Sequence, residues 1–385
     1  MRFLLESSRV PIYERINLAL KAALEEYGHE VIFYRPEFFD DDAFLQTINQ
    51  AAIDFYLISN EGAFIQRFSD KYQCYLFELV TLPLIFLFHD NAFCGTGDRK
   101  RLEQRYKGLS TVSPRSRIFC IEKSNITDLE LRSVENVHFL THATEFTPSQ
   151  TPAKNDQIAF VGHTMAGLQT FPLDVFAEAR SLIGFAWLRY ADVEMPVQHL
   201  LLEMAKKTGA NDCFIERQYL LNLLNKMTFS LRGEVLGALN VPMTIYGGDL
   251  SYGKRDPKSY RINSPNVTYA SATVDYRDTA QIYANARINI NITGLQFDTA
   301  INNRVLDVIA AGGVLLTDYK ADLLSLFPYV GPVTYRSANE LKEKLIAAED
   351  PKTLKEIADI CAAMRDHLLT HHTYKNTIAT ILDTL

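Results

Sequence analysis

The sequence predicts an α/β protein with two doubly wound, Rossmann-like domains that face each other across a cleft. Short apolar runs alternate with helical patterns in both halves, which is typical of βαβ units and parallel sheets. A polar segment with two prolines, residues 147–155, separates the halves. The length of 385 residues suits two domains, and 47% apolar with 22% charged residues is ordinary globular usage.

The polar segment sets the predicted domain boundaries. We expect an N-terminal Rossmann-like domain at residues 1–150 and a C-terminal Rossmann-like domain at 151–360. We expect a C-terminal helix at 361–385, for which a return to the first domain is one option.

The first domain begins with a β-α-β pattern. Residues 2–6 form an apolar run, residues 13–27 have apolar side chains at helical spacing, and Gly28 ends that pattern. A second helix is predicted at 44–52. The further predicted strands are residues 30–34, 53–59, 83–88, 117–121 and 137–141.

The second domain repeats the alternation after the polar segment. A helical elaboration is predicted at about 173–239, and helices at 278–286 and 299–311. The predicted strands are residues 157–161, 241–246, 267–270, 288–292 and 313–317, and helices at 341–348 and 353–385 close the chain.

Charge and cysteine content exclude several protein classes. The net charge is −7, and residues 1–150 hold 16 Lys and Arg against 21 Asp and Glu. Neither half is therefore a general polyanion binder. The five cysteines are scattered without a C-x-x-C pair, which indicates neither a disulfide framework nor a zinc site. No apolar run approaches the ~20 residues of a membrane span, and no signal peptide is indicated. We expect a cytoplasmic protein, and the sequence indicates no oligomeric state.

One stretch carries a family resemblance. Its residues are Asn291, Asn303-Arg304, Asp307, Ala310-Ala311-Gly312-Gly313, Leu315-Leu316-Thr317-Asp318 and Leu326-Phe327. This order resembles the C-terminal half of the CgeB-like, group 1 glycosyltransferases of the GT-B fold. The resemblance is good over residues 241–345, loose over 83–161 and weak over 173–239.

The resemblance implies a transferase that moves a sugar from a nucleotide-diphosphate donor to an acceptor hydroxyl. The acceptor stays open between a glycan, a protein and a modified nucleic acid. The nucleotide sugar is a co-substrate, and neither a cofactor nor a metal is expected, because helix N-termini, Arg and Lys can neutralise a diphosphate.

The predicted helix at 299–311 places Asn303 and Asp307 on one face, with Arg304 beside them. Arg304 could pair with the diphosphate, and Asp307 suits a ribose diol. The alternative is a surface ion pair followed by an ordinary helix C-cap. Many retaining relatives carry two glutamates here, of which the second aligns with Asp307 and the first falls on Thr299. The stereochemistry therefore stays open.

Glycine turns after two predicted strands are further donor-site candidates. Gly162 and His163 follow the first strand of the second domain, where backbone N–H groups can bind phosphate. Gly247 and Gly248 follow the next strand, with Lys254 nearby. The alternative for both turns is a surface loop.

Tyr276 follows the third predicted strand of the second domain, and the resemblance implies that this loop lies beside the base, where Tyr276 could stack on it. The alternative is an ordinary packed tyrosine.

The candidate catalytic residues are His89 and Asp90, which follow the apolar strand predicted at 83–88. At a strand's carboxyl end, a carboxylate or imidazole can act as base on an acceptor hydroxyl. The alternative is that His89 caps the following turn and Asp90 is its N-cap.

Two charged runs have simpler explanations. Residues 98–107 are a basic helical stretch that could face an anionic acceptor, although a solvated helix face is more common. The triplet at residues 40–42 is more consistent with a helix cap than with a metal site.

Other functions fit the same fold class. A sugar-nucleotide epimerase and a transferase acting on DNA bases are enzymatic alternatives, and the acidic first domain disfavours DNA. A non-catalytic protein that binds nucleotide sugars or assembles with partners is the alternative from another class.

Overall fold

The computed structural model describes residues 1–8, 10–34, 40–50, 52–59, 67–94, 98–148, 155–164, 197–207, 209–226, 228–247, 261–271 and 275–385. The chain divides into two compact units. Unit 1 comprises Met1–Ala143, Ala210–Asn222 and His372–Leu385, and unit 2 comprises Thr144–Gly209 and Leu223–His371. The chain therefore returns twice to unit 1 after entering unit 2.

Unit 1 contains a six-stranded parallel sheet with the order β2-β1-β3-β6-β7-β8. The strand order reverses between β1 and β3. Open parallel α/β sheets bind ligands outside the carboxyl ends of their strands at such a point. A two-stranded antiparallel hairpin, β4 and β5, lies outside the sheet. The strands are β1 (Arg2–Glu6), β2 (Glu30–Tyr34), β3 (Phe55–Ser59), β4 (Phe68–Ser69), β5 (Cys74–Tyr75), β6 (Leu84–Phe88), β7 (Ser116–Cys120) and β8 (Val137–Phe139).

Apolar side chains cover both faces of this sheet. Along β6, Phe86 and Phe88 enter one hydrophobic cluster, whereas Ile85 and Leu87 enter the other. This alternation is the period of two that a buried parallel strand requires. The helices are α1 (Pro11–Glu26), α2 (Asp41–Gln50), α3 (Arg99–Val112), α4 (Lys123–Glu130), α6 (Cys213–Lys226, which ends in unit 2) and α13 (Tyr374–Leu382). Single 3₁₀ turns lie at Leu76–Leu79 and Ser113–Arg115.

Unit 2 contains a second six-stranded parallel sheet with the order β11-β10-β9-β12-β13-β14. Its strand order reverses between β9 and β12. The strands are β9 (Ile158–Val161), β10 (Met243–Tyr246), β11 (Val267–Ala270), β12 (Ile288–Asn291), β13 (Leu315–Asp318) and β14 (Thr334–Tyr335). The helices are α5 (Val197–Lys207), α7 (Thr228–Leu239), α8 (Tyr276–Asn285), α9 (Asn303–Ala310), α10 (Leu323–Leu326), α11 (Ala338–Ala347) and α12 (Pro351–His371), with a 3₁₀ turn at Gly331–Val333.

The two predicted parallel sheets are confirmed, and the predicted strands are found within two residues of their expected ends. Short strands β4, β5 and β14 were not predicted, because two residues carry no periodic signal. In the predicted helical elaboration, the structure describes α5, α6 and α7, whereas residues 173–196 lie outside the described residues.

The predicted helix at 299–311 is wrong at its start, because α9 begins at Asn303. The preceding loop is held by Lys320, whose buried Nζ donates to the carbonyl oxygens of Phe297 at 2.8 Å and Asp298 at 3.4 Å. The Thr299 hydroxyl donates to Asp322 Oδ2 at 3.0 Å. These hydrogen bonds satisfy the carbonyl oxygens of Phe297 and Asp298 and the hydroxyl of Thr299. A helix that began at Thr299 would have to pair these groups differently.

None of the helices in the described part of the chain is long and apolar enough to cross a membrane.

Candidate active site

The strand order of the unit 2 sheet reverses between β9 and β12, and we call this place the switch point. It brings together residues from β9, β12 and α9. Parallel α/β sheets bind ligands at such points, outside the carboxyl ends of the strands. Arg304, in the first turn of α9, donates from Nη1 to Asn291 Oδ1 at 2.7 Å. A Cβ atom added at Gly162, directly after β9, would lie 2.6 Å from Arg304 Nη2. The guanidinium therefore lies at the crevice between the two strands.

Two glycines let the backbone approach this guanidinium. Gly162 has φ +149° and Gly247 has φ +136°, which L side chains rarely adopt. A Cβ at Gly247 would lie 2.5 Å from the carbonyl oxygen of Gly162. The two turns that contain Gly162 and Gly247, both singled out by the sequence, are thus in contact.

A buried polar network fixes Arg304. Asn291, which accepts from Arg304, donates from Nδ2 to Thr317 Oγ1 at 2.9 Å. The buried Asp318 carboxylate accepts from the backbone N–H and the hydroxyl of Thr293 at 2.9 and 2.8 Å. Because these partners are themselves hydrogen-bonded, the guanidinium is held in one orientation.

Arg232 is a second arginine at this edge, and the sequence reasoning missed it. It lies on α7, is 7% exposed, and donates from Nε to the carbonyl oxygen of Ile292 at 3.0 Å. Its guanidinium carbon lies 6.0 Å from the centre of the Phe160 ring, and that of Arg304 lies 5.0 Å from the same ring. Two cations thus share one aromatic side chain. The available signal was a charged residue inside the largely apolar segment 228–239.

Two further residues of unit 2 that the sequence predicted to bind the sugar donor, His163 and Tyr276, contact aromatic side chains of the protein. The His163 ring meets Phe229 edge-on at 6.1 Å. The half-exposed Tyr276 ring stacks on Phe146 at 5.8 Å, so one of its faces already has an aromatic partner. Gly248 and Lys254 lie outside the described residues.

Asp307 lies on α9 one turn beyond Arg304 and is 4% exposed. Its Oδ1 accepts a hydrogen bond from the Thr144 hydroxyl at 2.8 Å. The Asp307 carboxylate is therefore hydrogen-bonded to Thr144, the first residue of unit 2. The predicted contact between Asp307 and a ribose stays a prediction.

The carboxyl edge of the unit 1 sheet holds the other candidates. Asp90 Oδ2 accepts a hydrogen bond from the Tyr13 hydroxyl at 2.5 Å. The His89 ring lies nearly parallel to that of His142, with centroids 5.8 Å apart. Burial lowers the pKa of His89 to about 4. Burial, followed by the charges of His89 and Arg15, holds the pKa of His142 well below its ordinary value. Both imidazoles are therefore neutral at neutral pH.

His142 was not predicted as a site residue. It follows the short β8 in a polar segment that has no motif of its own, so only the fold brings it to His89.

The basic stretch at 98–107 does not form an open cationic face. Arg99 binds Glu216 through Nε at 2.5 Å and Nη2 at 2.8 Å, and Lys107 binds Glu103 at 2.7 Å. Arg105 is 1% exposed and donates to the carbonyl oxygen of Cys94.

The acidic triplet begins α2, as expected for a cap. Asp40 accepts from the N–H of Ala43 at 2.7 Å, and Asp42 binds Lys71 at 2.5 Å. Nowhere in the described ranges do three or more His, Cys, Asp or Glu side chains group as a metal site.

Residues 217–383 match a family model described as glycosyl transferase-like. A comparison with curated proteins finds no match. Several solved structures share the fold over the whole chain. HepE (Alr3699) of Anabaena, in complex with UDP-glucose, has a TM-score of 0.59 at 10% identity, with 100% of both chains covered.

Two further structures are similar. Sucrose-phosphate synthase from Thermosynechococcus elongatus has a TM-score of 0.57 at 11% identity, and covers 100% of this chain and 98% of its own. The DNA-modifying enzyme β-glucosyltransferase, T4 phage BGT, has a TM-score of 0.52 at 10% identity, with 100% of both chains covered. The family match thus covers residues 217–383, and the whole chain shares the GT-B fold of these structures.

Proposed function

We propose that this protein transfers a sugar from a nucleoside-diphosphate donor, bound by unit 2, to an acceptor hydroxyl bound by unit 1. The observation that carries the proposal is the Arg304 guanidinium beside the glycine turns at the switch point of the unit 2 sheet. Guanidinium groups bind phosphates bidentately, and the N-terminus of α9 adds backbone donors. Similar structures hold UDP-glucose, which makes a uridine nucleotide the first donor to test.

The same cations suit the transition state. When the glycosidic bond to the donor breaks, negative charge develops on the leaving diphosphate, and preorganised cations stabilise it. Arg304 and the buried Arg232 would both act there. Because two arginines supply the charge, we propose that transfer needs neither a metal nor another cofactor.

Unit 1 would supply the acceptor base. Asp90 follows β6 and already accepts a hydroxyl hydrogen bond, from Tyr13 at 2.5 Å. His89 is neutral at neutral pH because burial lowers its pKa to about 4, so one of its ring nitrogens carries no proton. We assign Asp90 as the proton acceptor and His89 as the group that orients the acceptor.

The finer family assignment, a CgeB-like enzyme, rests on the motif from Asn291 to Asp318 and is part of this proposal. Transfer to DNA bases is the second candidate, since a DNA-modifying β-glucosyltransferase is among the similar structures. The net charge of −7 disfavours it.

The test has two steps. A thermal-shift screen of UDP-, GDP-, ADP- and TDP-sugars identifies the donor, because ligand binding to the native state raises its stability. Release of the nucleoside diphosphate is then measured with and without EDTA. We expect equal rates in both conditions. Stabilisation by none of the four sugar nucleotides would contradict the proposed donor, and loss of activity that Mn²⁺ restores would contradict its metal independence.

A further inference from the structure

In the part of the chain that the structure describes, the carboxyl edge of the unit 1 sheet carries more carboxylates than cations. Asp90 follows β6 and Glu122 follows the neighbouring strand β7. Glu6 ends β1, and Glu14 lies in the first turn of α1. Glu6 and Glu122 are buried, so they act on a ligand through their charge rather than by contact.

The two more accessible carboxylates already bind hydroxyl groups. Asp90 accepts from the Tyr13 hydroxyl, and both oxygens of Glu14 accept from the Ser7 hydroxyl at 2.9 and 3.0 Å. The edge is therefore built for groups that donate O–H hydrogen bonds.

Buried polar atoms at the same edge await a partner. Asn91, 3% exposed, uses Oδ1 to accept from the N–H of Phe93, while its Nδ2 has no hydrogen-bond partner among the described residues. His142 Nδ1 is also buried and has no hydrogen-bond partner among the described residues. His142 and His89 line a small cavity of about 20 Å³. Buried polar atoms are rarely left unpaired, so each indicates a ligand or water.

Among the described residues, the cations at this edge are Arg15 and Lys123, fewer than the four carboxylates named above. Lys123 Nζ lies 5.0 Å from the centre of the Phe139 ring, and Arg15 is close enough to lower the pKa of His142. Unit 1 as a whole holds 18 Lys and Arg against 23 Asp and Glu. A phosphorylated or polyanionic acceptor would meet net repulsion here.

We propose that the acceptor is an uncharged polyhydroxylated molecule, a sugar or the end of a glycan, bound at this edge by Asp90, Asn91 and the His89–His142 pair. A sugar hydroxyl both donates and accepts, which matches carboxylates beside amide and imidazole nitrogens. The proposal rests on the proposed transferase function.

The experiment compares acceptors of different charge. With the donor found by thermal shift, transfer is measured to glucose and maltose, to glucose 6-phosphate and glucuronic acid, and to a short single-stranded DNA. We expect kcat/KM for glucose or maltose to exceed that for the charged sugars at least about tenfold. Equal or better use of the charged sugars or the DNA would overturn the proposal.

A variant separates charge from structure. Glu122→Gln keeps an oxygen that can accept from Asn125 Nδ2, now at 3.1 Å, but removes the buried charge. We expect it to lower the preference for neutral over charged sugars at least about threefold, whereas Glu130→Gln at the exposed end of α4 leaves the preference unchanged. An unchanged preference in Glu122→Gln contradicts the electrostatic argument.

The two proposals fail differently. A protein that binds no nucleoside diphosphate refutes the proposed function. A protein that binds and hydrolyses the donor, but transfers to none of the neutral sugars, refutes only the acceptor class.

Discussion

At the residue scale, the donor site depends on the absence of side chains as much as on their presence. Arg304 can lie at the switch point because Gly162 has no Cβ atom, which would come within 2.6 Å of its Nη2. The resemblance and the glycine spacing pointed to both residues separately, but only the fold shows that they touch.

Gly162→Ala is therefore expected to displace the guanidinium and weaken donor binding at least tenfold. Gly28→Ala is the matched control, since Gly28 also has a positive φ of +78° but nothing within 4 Å of an added Cβ. Both variants should lose roughly 1–3 kcal/mol of stability from backbone strain. Calorimetric titration with the donor nucleotide measures the difference, and equal affinities in the two variants would contradict the packing argument.

His89 makes the stability of unit 1 sensitive to acid. Its pKa is about 4 in the folded chain against 6.5 ordinarily, so the unfolded chain binds more protons between these values. The free energy of unfolding therefore falls as the pH falls, by about 2 kcal/mol from pH 7 to pH 5 for this group.

His89→Gln should remove that part of the pH dependence, which urea unfolding at pH 7 and pH 5 measures. The contribution of His142, whose pKa is also lowered by burial, remains in both proteins. An identical fall in stability in wild type and variant would show that His89 titrates normally.

At the element scale, the sequence located nearly all strands but misplaced the start of α9. The pattern from Thr299 onward is compatible with a helix, and no local signal reveals that a lysine more than twenty positions later binds the carbonyl oxygens of Phe297 and Asp298. The helix begins where those tertiary hydrogen bonds end. This shift matters for function, because it puts Arg304 in the first turn, at the carboxyl edge of the sheet.

Lys320→Met tests the element that positions Arg304. The substitution keeps the buried stem but leaves two loop carbonyl oxygens without their donor, and we expect a loss of about 1–3 kcal/mol in stability. Lys344→Met is the control, because Lys344 also donates to a carbonyl oxygen, that of Gly331 at 3.0 Å, but its side chain is 23% exposed and water can replace it. Equal denaturation midpoints for the two variants would contradict this role of Lys320.

At the scale of the whole molecule, two parallel sheets were predictable because alternating apolar runs and helical patterns are properties of the sequence. Which residues share a site was less predictable. Arg232 and His142 come from segments without a motif and reach their partners only through the packing of α7 and the end of β8. Asp307 was proposed from its spacing to Asn303, but Thr144 also contacts it from far away in the sequence.

The most direct test of the central claim is a calorimetric comparison of a nucleoside diphosphate with its nucleoside, in wild type and in Arg304→Ala. Lys355→Ala, which removes an exposed cation from α12, is the control. If Arg304 binds the diphosphate, the wild type and the control prefer the diphosphate strongly, and Arg304→Ala reduces that preference at least tenfold, with nucleoside affinity unchanged. An undiminished preference in Arg304→Ala would contradict the assignment of the switch point as the donor site.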